Sequence, residues 1–271
     1  MATRKRKRRL KKEVLLALIS VAVLLMFVFV NTIKSVSSDN LGENTDTSVM
    51  VSNNNDKDSE KGEDKEIRPL ELTDEELAPK KPVIVIDPAF GGEYAGSKGA
   101  NGILQKDVNL DIALKVQKTL KRYNDIDVYL TRETDTTVSY EKRMDLIRNK
   151  KADVVISIQQ NTEGTKTAEG VETYVLSKKD YPESDCNLGY IVQKAMTMYS
   201  STKDRGVMSR NADILRDSYK NGTVGAIVYT GFITNEKESK NLTTDKYTER
   251  LGEGIAQGIL SYVDRYILNE K

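Results

Sequence analysis

Two short runs, Val83-Ile84-Val85-Ile86 and Val154 to Ile158, are apolar at nearly every position, where a half-buried strand would alternate with polar residues. A strand of that kind needs cover on both faces, which helices packed on either side of a sheet provide. The intervening sequence supplies helices of the right length. Val108 to Tyr123 reads as a helix with Leu110, Ala113, Leu114 and Leu120 on one stripe, and Tyr140, Met144 and Ile147 fall at helical spacing. Residues 187–200 read as a further helix. Residues 245–267 place Leu251, Ile255, Ile259, Tyr262 and Tyr266 on one face of a long closing helix. Ile126, Val128 and Leu130 alternate with polar residues, as does Val171 to Leu176, and Ala226 to Tyr229 is a further apolar strand. Strands alternating with helices predict a single α/β domain over residues 81–271. Its mixed, largely parallel central sheet should have about six strands flanked by helices.

The chain ahead of that domain is of another kind. Residues 1–12 carry eight basic residues and no acidic one, and Val14 to Val30 is uncharged with only Ser20 polar. Seventeen such residues are at the short end of what crosses a bilayer. No small-residue cleavage site follows, since the chain continues Asn31-Thr32-Ile33-Lys34. The expectation is a cytoplasmic basic tail (1–13) and a single-pass transmembrane signal-anchor helix (14–33), oriented by the positive charges. A cleaved signal sequence is the alternative. Either way the rest of the chain lies outside the cytoplasm, and with the anchor retained it is held at the cell membrane. Residues 31–80 hold six basic and thirteen acidic residues without hydrophobic periodicity, so 34–80 reads as a disordered acidic and polar linker.

Residues 81–271 hold 28 basic and 27 acidic residues. A nucleic-acid binder needs a basic field to displace counterions, and this domain has no such surplus. The single cysteine, Cys186, cannot form an intramolecular disulfide, and with no histidine in the chain to activate it, it reads as a packed residue, not a nucleophile.

In α/β domains ligands sit beyond the carboxyl ends of the strands. The first strand is followed by Asp87-Pro88-Ala89-Phe90-Gly91-Gly92 and then Gln105-Lys106-Asp107, which opens a helix. The second ends in Leu130-Thr131-Arg132 with Asp135 three residues on, and Arg143 lies in the next helix. The third ends Ser157-Ile158-Gln159-Gln160-Asn161. Gly170-Val171-Glu172-Thr173-Tyr174 and Val228-Tyr229-Thr230-Gly231-Phe232-Ile233-Thr234-Asn235 complete the series. Six blocks in this order resemble the zinc-dependent N-acetylmuramoyl-L-alanine amidases (the type 3 catalytic domain), which cleave the bond between N-acetylmuramic acid and L-alanine in peptidoglycan. The resemblance spans about residues 83–268.

That resemblance implies a zinc site built from two histidines and a glutamate, with a second glutamate as general base. Carried over position by position, the zinc ligands fall on Phe90, Gln105 and Gln159, and the base falls on Tyr229. Phe90 offers no donor atom, and the glutamines offer only neutral amide groups. Without zinc the attacking water keeps a pKa of about 15.7 instead of about 7, and an unperturbed phenol, at about 10, is no base at neutral pH. The expectation is therefore no catalytic residue, no metal ligands and no cofactor, zinc being the family's. Asp87, Glu93 and Glu172 could serve another metal, but Asp87 and Glu172 match residues of the family and read as hydrogen-bonding the loops. Phe90 and Tyr229 either plug the emptied pocket or face the groove. Candidate groove residues are Phe90, Glu93, Gln105, Arg132, Gln159, Asn161, Glu172 and Tyr229.

The sequence thus implies a membrane-anchored, extracytoplasmic pseudo-amidase that binds peptidoglycan, or positions cell-wall machinery, without hydrolysis. Two alternatives stand beside it: an active N-acetylmuramoyl-L-alanine amidase with a non-standard site, and a scaffold whose partner is an envelope protein.

Overall fold

β1 (Val83–Pro88) is buried along its whole length, as its unbroken apolar sequence requires. It is followed by α1 (Gln105–Leu120), β2 (Asp127–Leu130), α2 (Tyr140–Asn149), β3 (Val154–Asn161) and β4 (Val171–Val175). Then come α3 (Glu183–Ser200), β5 (Asp204–Ser209), α4 (Asp213–Lys220), β6 (Val224–Phe232), α5 (Glu236–Asn241) and α6 (Asp245–Val263), closed by a π-helical segment, Asp264–Leu268. The computed structural model describes residues 80–176 and 183–268. The expected tail (1–13), anchor (14–33) and all but the last residue of the linker (34–80) lie outside the described residues. Among the described residues no helix is long and apolar enough to cross a membrane.

The six strands form one sheet in the order β2-β1-β3-β6-β4-β5. β2, β1, β3 and β6 run parallel, β4 runs antiparallel to β6, and β5 parallel to β4. The sheet is thus mixed and largely parallel, as the alternation of elements predicts. Strand periodicity then divides the core. Ile84, Ile86, Ile156, Ile158, Ala226 and Val228 project to one face, under α1, α3 and α6. Val83, Val85 and Val155 project to the other, where Met144 and Ile147 of α2 cover them. Ile227 and Tyr229 share that second face with Leu215 of α4 and Leu176. Each fully buried Ile or Val contributes about 1.5–3 kcal/mol of transfer free energy.

α6 lies close on α3 because glycine permits it. A Cβ on Gly254 would stand 2.8 Å from the Met196 Cα, and one on Gly258 would stand 2.6 Å from the Val192 Cα. The closing helix buries Leu251, Ile255, Ile259 and Tyr262, the positions its periodicity marks, while Tyr266 in the π segment is half-buried against the same core.

Three details depart from the sequence reading. α1 begins at Gln105, earlier than Val108, and its buried stripe is Val108, Ile112, Ala113, Val116 and Leu120, with Leu114 exposed and Leu110 half-buried. β6 extends from Val224 to Phe232, beyond the Ala226–Tyr229 expected. β5 and α4 were not anticipated; β5 is an edge strand with only half-buried and exposed positions. Cys186 is half-buried against the main core, a packing role.

Candidate functional site

The loop leaving β1 is fastened by two arginines from outside it. Arg132, 4 % exposed, donates to the carbonyls of Pro88 (3.0 Å), Ala89 (3.2 Å) and Lys106 (2.7 Å). Arg143 from α2 donates to the Phe90 carbonyl at 2.9 Å and pairs with Asp87. Asp87 also accepts from the Thr131 hydroxyl at 2.7 Å and the Ser157 hydroxyl at 2.8 Å, which ties the ends of β1, β2 and β3 together. A buried carboxylate is tolerable only when paired and fully hydrogen-bonded, and Asp87 is both. The clamped loop bends through residues of unusual backbone. Gly91 has φ +133°, and a Cβ there would lie 2.3 Å from the Thr136 carbonyl oxygen, so only glycine fits. Phe90 holds φ +64°, a left-handed conformation a bulky residue rarely adopts. The surrounding hydrogen bonds over-determine that conformation.

Past the loop, Gln105 opens α1 and is 5 % exposed. Its Oε1 accepts from the Ser97 N–H at 2.7 Å, and its Nε2 donates to the Gln160 carbonyl at 2.5 Å. Both ends of the amide are spent on backbone, so this side chain joins the β1 loop to β3. The Phe90 ring and the Gln105 side chain close on one spot, since a Cβ on Gly96 would meet both at 2.8 Å.

Strand register gathers the remaining positions. Gln159 of β3 pairs with Tyr229 of β6, and Tyr229 pairs with Glu172 of β4. Residues directly opposite on neighbouring strands project to the same face. Gln159, Tyr229 and Glu172 therefore form a row across three strands, on the face that α2 and α4 cover among the described residues. Glu172 is 1 % exposed; it accepts from the Arg205 Nε at 2.8 Å, from the Tyr174 hydroxyl at 3.2 Å and from the Asn161 amide. Tyr229, 7 % exposed, packs with Leu176, Leu215 and Ile227 and meets the Tyr174 ring edge-on at 5.2 Å. Its hydroxyl accepts from Arg210 Nη1 at 2.9 Å. Burial raises the Tyr229 phenol above its ordinary pKa of about 10, with Arg210 pulling the other way, so it stays protonated at neutral pH. The Tyr174 phenol is raised too, by burial and then by Glu172.

The eight groove positions expected from the sequence thus separate. Phe90, Gln159 and Asn161 are half-buried and Glu93 is exposed. Gln105, Arg132 and Glu172 point inward and brace the backbone or one another, and Tyr229 is mainly packed, with its hydroxyl held by Arg210. Arg205 in β5 and Arg210 directly after it are not found by the sequence reading: neither stands in a recognisable block, and their relevance comes from folding β5 alongside β4.

The donor set does not fit zinc. Phe90 presents carbon, the Gln105 amide is consumed by backbone, and the nearest partner of the Gln159 amide is the Ser157 hydroxyl at 3.5 Å. Asp87 and Glu172 are each neutralised by an arginine. Among the described residues no group of three or more Asp, Glu, Cys or His side chains is placed to hold a metal ion. Three such ligands and an open position are what a zinc hydrolase needs.

Comparison with known proteins gives this geometry a context. A family model described as N-acetylmuramoyl-L-alanine amidase matches residues 84–261. LytC of Bacillus subtilis, an N-acetylmuramoyl-L-alanine amidase, is 33 % identical over 66 % of this chain and 35 % of its own length, so this chain spans about a third of LytC. The crystal structure of an N-acetylmuramoyl-L-alanine amidase from Clostridium difficile 630 superposes with a TM-score of 0.64 at 34 % identity, covering 69 % of this chain and 98 % of that one. The CwlD amidase of Clostridioides difficile, solved in complex with the GerS lipoprotein, superposes with a TM-score of 0.62 at 26 % identity, covering 68 % and 99 %.

Proposed function

The chain belongs to the N-acetylmuramoyl-L-alanine amidase family, and from that premise we propose that it is a non-hydrolysing member, a pseudo-amidase that holds peptidoglycan or positions cell-wall machinery. The observation that carries this reading is Gln105. Where the family resemblance puts a zinc-binding glutamate, this chain has a buried amide whose two ends hold backbone at 2.7 and 2.5 Å. An amide so engaged is neutral, and turning its oxygen toward a metal would break the bonds to Ser97 and Gln160; a charged replacement would lose the bond to the Gln160 carbonyl. Phe90, Gln159 and Tyr229 at the other three positions supply neither a metal ligand set nor a base. A neutral phenol beside an arginine accepts no proton from water at pH 7.

The uncharged stretch 14–30 behind eight basic residues supports an anchor in the cell membrane, with the amidase-like domain outside the cytoplasm on an acidic linker. An envelope-protein partner is the second reading, supported by the CwlD–GerS complex among the structural relatives.

The test is elemental analysis of the purified full chain after zinc loading, with cleavage of muramoyl peptides and retention on purified cell wall measured on the same sample. The expected result is no stoichiometric zinc, no cleavage, and retention. Stoichiometric zinc with cleavage overturns the proposal in favour of an active amidase. Inertness without retention moves the assignment to the protein partner.

A further inference from the structure

Every carboxylate in the row around Glu172 has its cation, but one cation there has no carboxylate among the described residues. Arg205 serves Glu172 at 2.8 Å, and Arg143 serves Asp87. Arg210, which follows β5, is exposed, and among the described residues its side chain meets only two neutral groups. It donates one N–H to the Tyr229 hydroxyl at 2.9 Å, and its guanidinium carbon lies 5.8 Å from the centre of the Tyr174 ring.

What the pair leaves unused decides what it can take. A guanidinium has five N–H donors in one plane and no acceptor. One of those donors is engaged by Tyr229, and Tyr174 lies beside the group, so donors along its edge remain for solvent or a ligand. The Tyr229 oxygen accepts from Arg210, which leaves its own O–H free to donate. The Glu172 oxygens are taken by Arg205, Tyr174 and Asn161, so among the described residues no carboxylate competes for Arg210. The result is a planar, positively charged cluster of donors at the position where the family resemblance puts a catalytic carboxylate. The sign of the charge at that position is reversed.

We propose that Arg210 and Tyr229 form a carboxylate-binding element that selects the free-acid form of a muramoyl peptide over its neutral amide. This deepens the non-hydrolysing reading and rests on it for the identity of the ligand. The planar fork fits a carboxylate in a way that a point charge does not. A carboxamide places an N–H pair where the guanidinium offers only donors, so amidation of the ligand costs contact as well as charge. Tyr229 lies in β6 and Arg210 directly follows β5, on either side of β4 in the same sheet, so the two are brought together by the sheet itself and the element is formed before the ligand arrives.

The experiment is isothermal titration of the full chain with three probes: an N-acetylmuramoyl dipeptide ending in a free carboxylate, the same dipeptide as its carboxamide, and N-acetylglycine as a bare carboxylate. The expected result is at least about tenfold tighter binding of the free acid than of the carboxamide, from the surplus of a charge-assisted pair over a neutral one. Arg210→Ala should bring the two affinities together, Arg210→Lys should restore only part of the difference, and Tyr229→Phe, which keeps the ring in its apolar setting, should reduce it. Equal affinity for the two muramoyl ligands overturns the carboxylate element and leaves the peptidoglycan reading intact. Binding of N-acetylglycine that Arg210→Ala abolishes, with no affinity for either muramoyl ligand, keeps the element and overturns peptidoglycan as its source. No binding of any probe overturns both.

Discussion

Gln105→Glu would restore a carboxylate at a position where the structure has a brace. The introduced side chain can still accept from the Ser97 N–H at 2.7 Å, but it has no donor for the Gln160 carbonyl at 2.5 Å. Two oxygens would then face each other in a site 5 % exposed. Losing a buried hydrogen bond and stranding its acceptor costs about 1–3 kcal/mol. For a domain of this size each kcal/mol moves Tm by about 2–4 °C, so the variant should melt about 2–12 °C below the parent at pH 7.5. The pH dependence follows in sign. Burial and the facing carbonyl raise the folded-state pKa of the introduced carboxyl above its unfolded value of about 4.3. The penalty is full above the folded pKa and vanishes below the unfolded one, where a protonated carboxyl can donate to the carbonyl. Thermal unfolding followed by circular dichroism between pH 4 and 7.5 should show the gap from the parent closing as pH falls. Equal melting of the two proteins at pH 7.5 would refute the brace, and with it the main support for the non-hydrolysing reading.

Two further outcomes follow from buried charges. Arg143→Ala removes the cation from Asp87, which is 3 % exposed, and should cost about 3–5 kcal/mol, read as a loss of the urea midpoint, with Arg143→Lys recovering part of it. Asp185, near the start of α3, is 1 % exposed, and burial pushes its carboxyl up to about 6, with the Gly225 N–H only partly offsetting it. With an unfolded pKa of about 3.9, the folded protein binds the extra proton between those values, so stability falls as pH rises from about 4 to about 6 and then levels off. Asp185→Asn should flatten that window and gain about 1–3 kcal/mol at pH 7.5 in urea unfolding; an unchanged pH profile would exclude the assignment.

The elements with strong periodicity were legible before folding. β1 and β3 announce themselves as fully buried strands, and Leu251, Ile255, Ile259 and Tyr262 mark the buried face of α6 correctly. The stripe of α1 was misjudged because both of its flanks are apolar: Leu110 and Leu114 compete with Ile112 and Val116, and only packing under α6 chooses between them. Its start was hidden for a related reason, since the residue before Gln105 is Leu104, which gives no side-chain cap. β5 has Val207 and Met208 as its only apolar residues within Asp204–Ser209, too little alternation to read as a strand. At the site, the motif blocks located Phe90, Gln105, Gln159 and Tyr229, and strand register explains how Gln159 and Tyr229 come to lie side by side. Which groups face inward was not legible. Arg132 sits within a motif yet serves the backbone, while Arg210 lies outside every motif and meets Tyr229 only because β5 pairs with β4.

The arginine clamp under the β1 loop has a consequence for the thermodynamics of recognition. Arg132 and Arg143 hold the loop from Pro88 to Phe90 through contacts 43 to 55 residues apart in sequence, so its shape belongs to the folded domain and not to any guest. A ligand arriving at this rim meets a surface that has already lost its freedom. The ordering entropy charged to association is then mostly the ligand's own, and rigid, pre-shaped glycan peptides should gain more here than flexible ones.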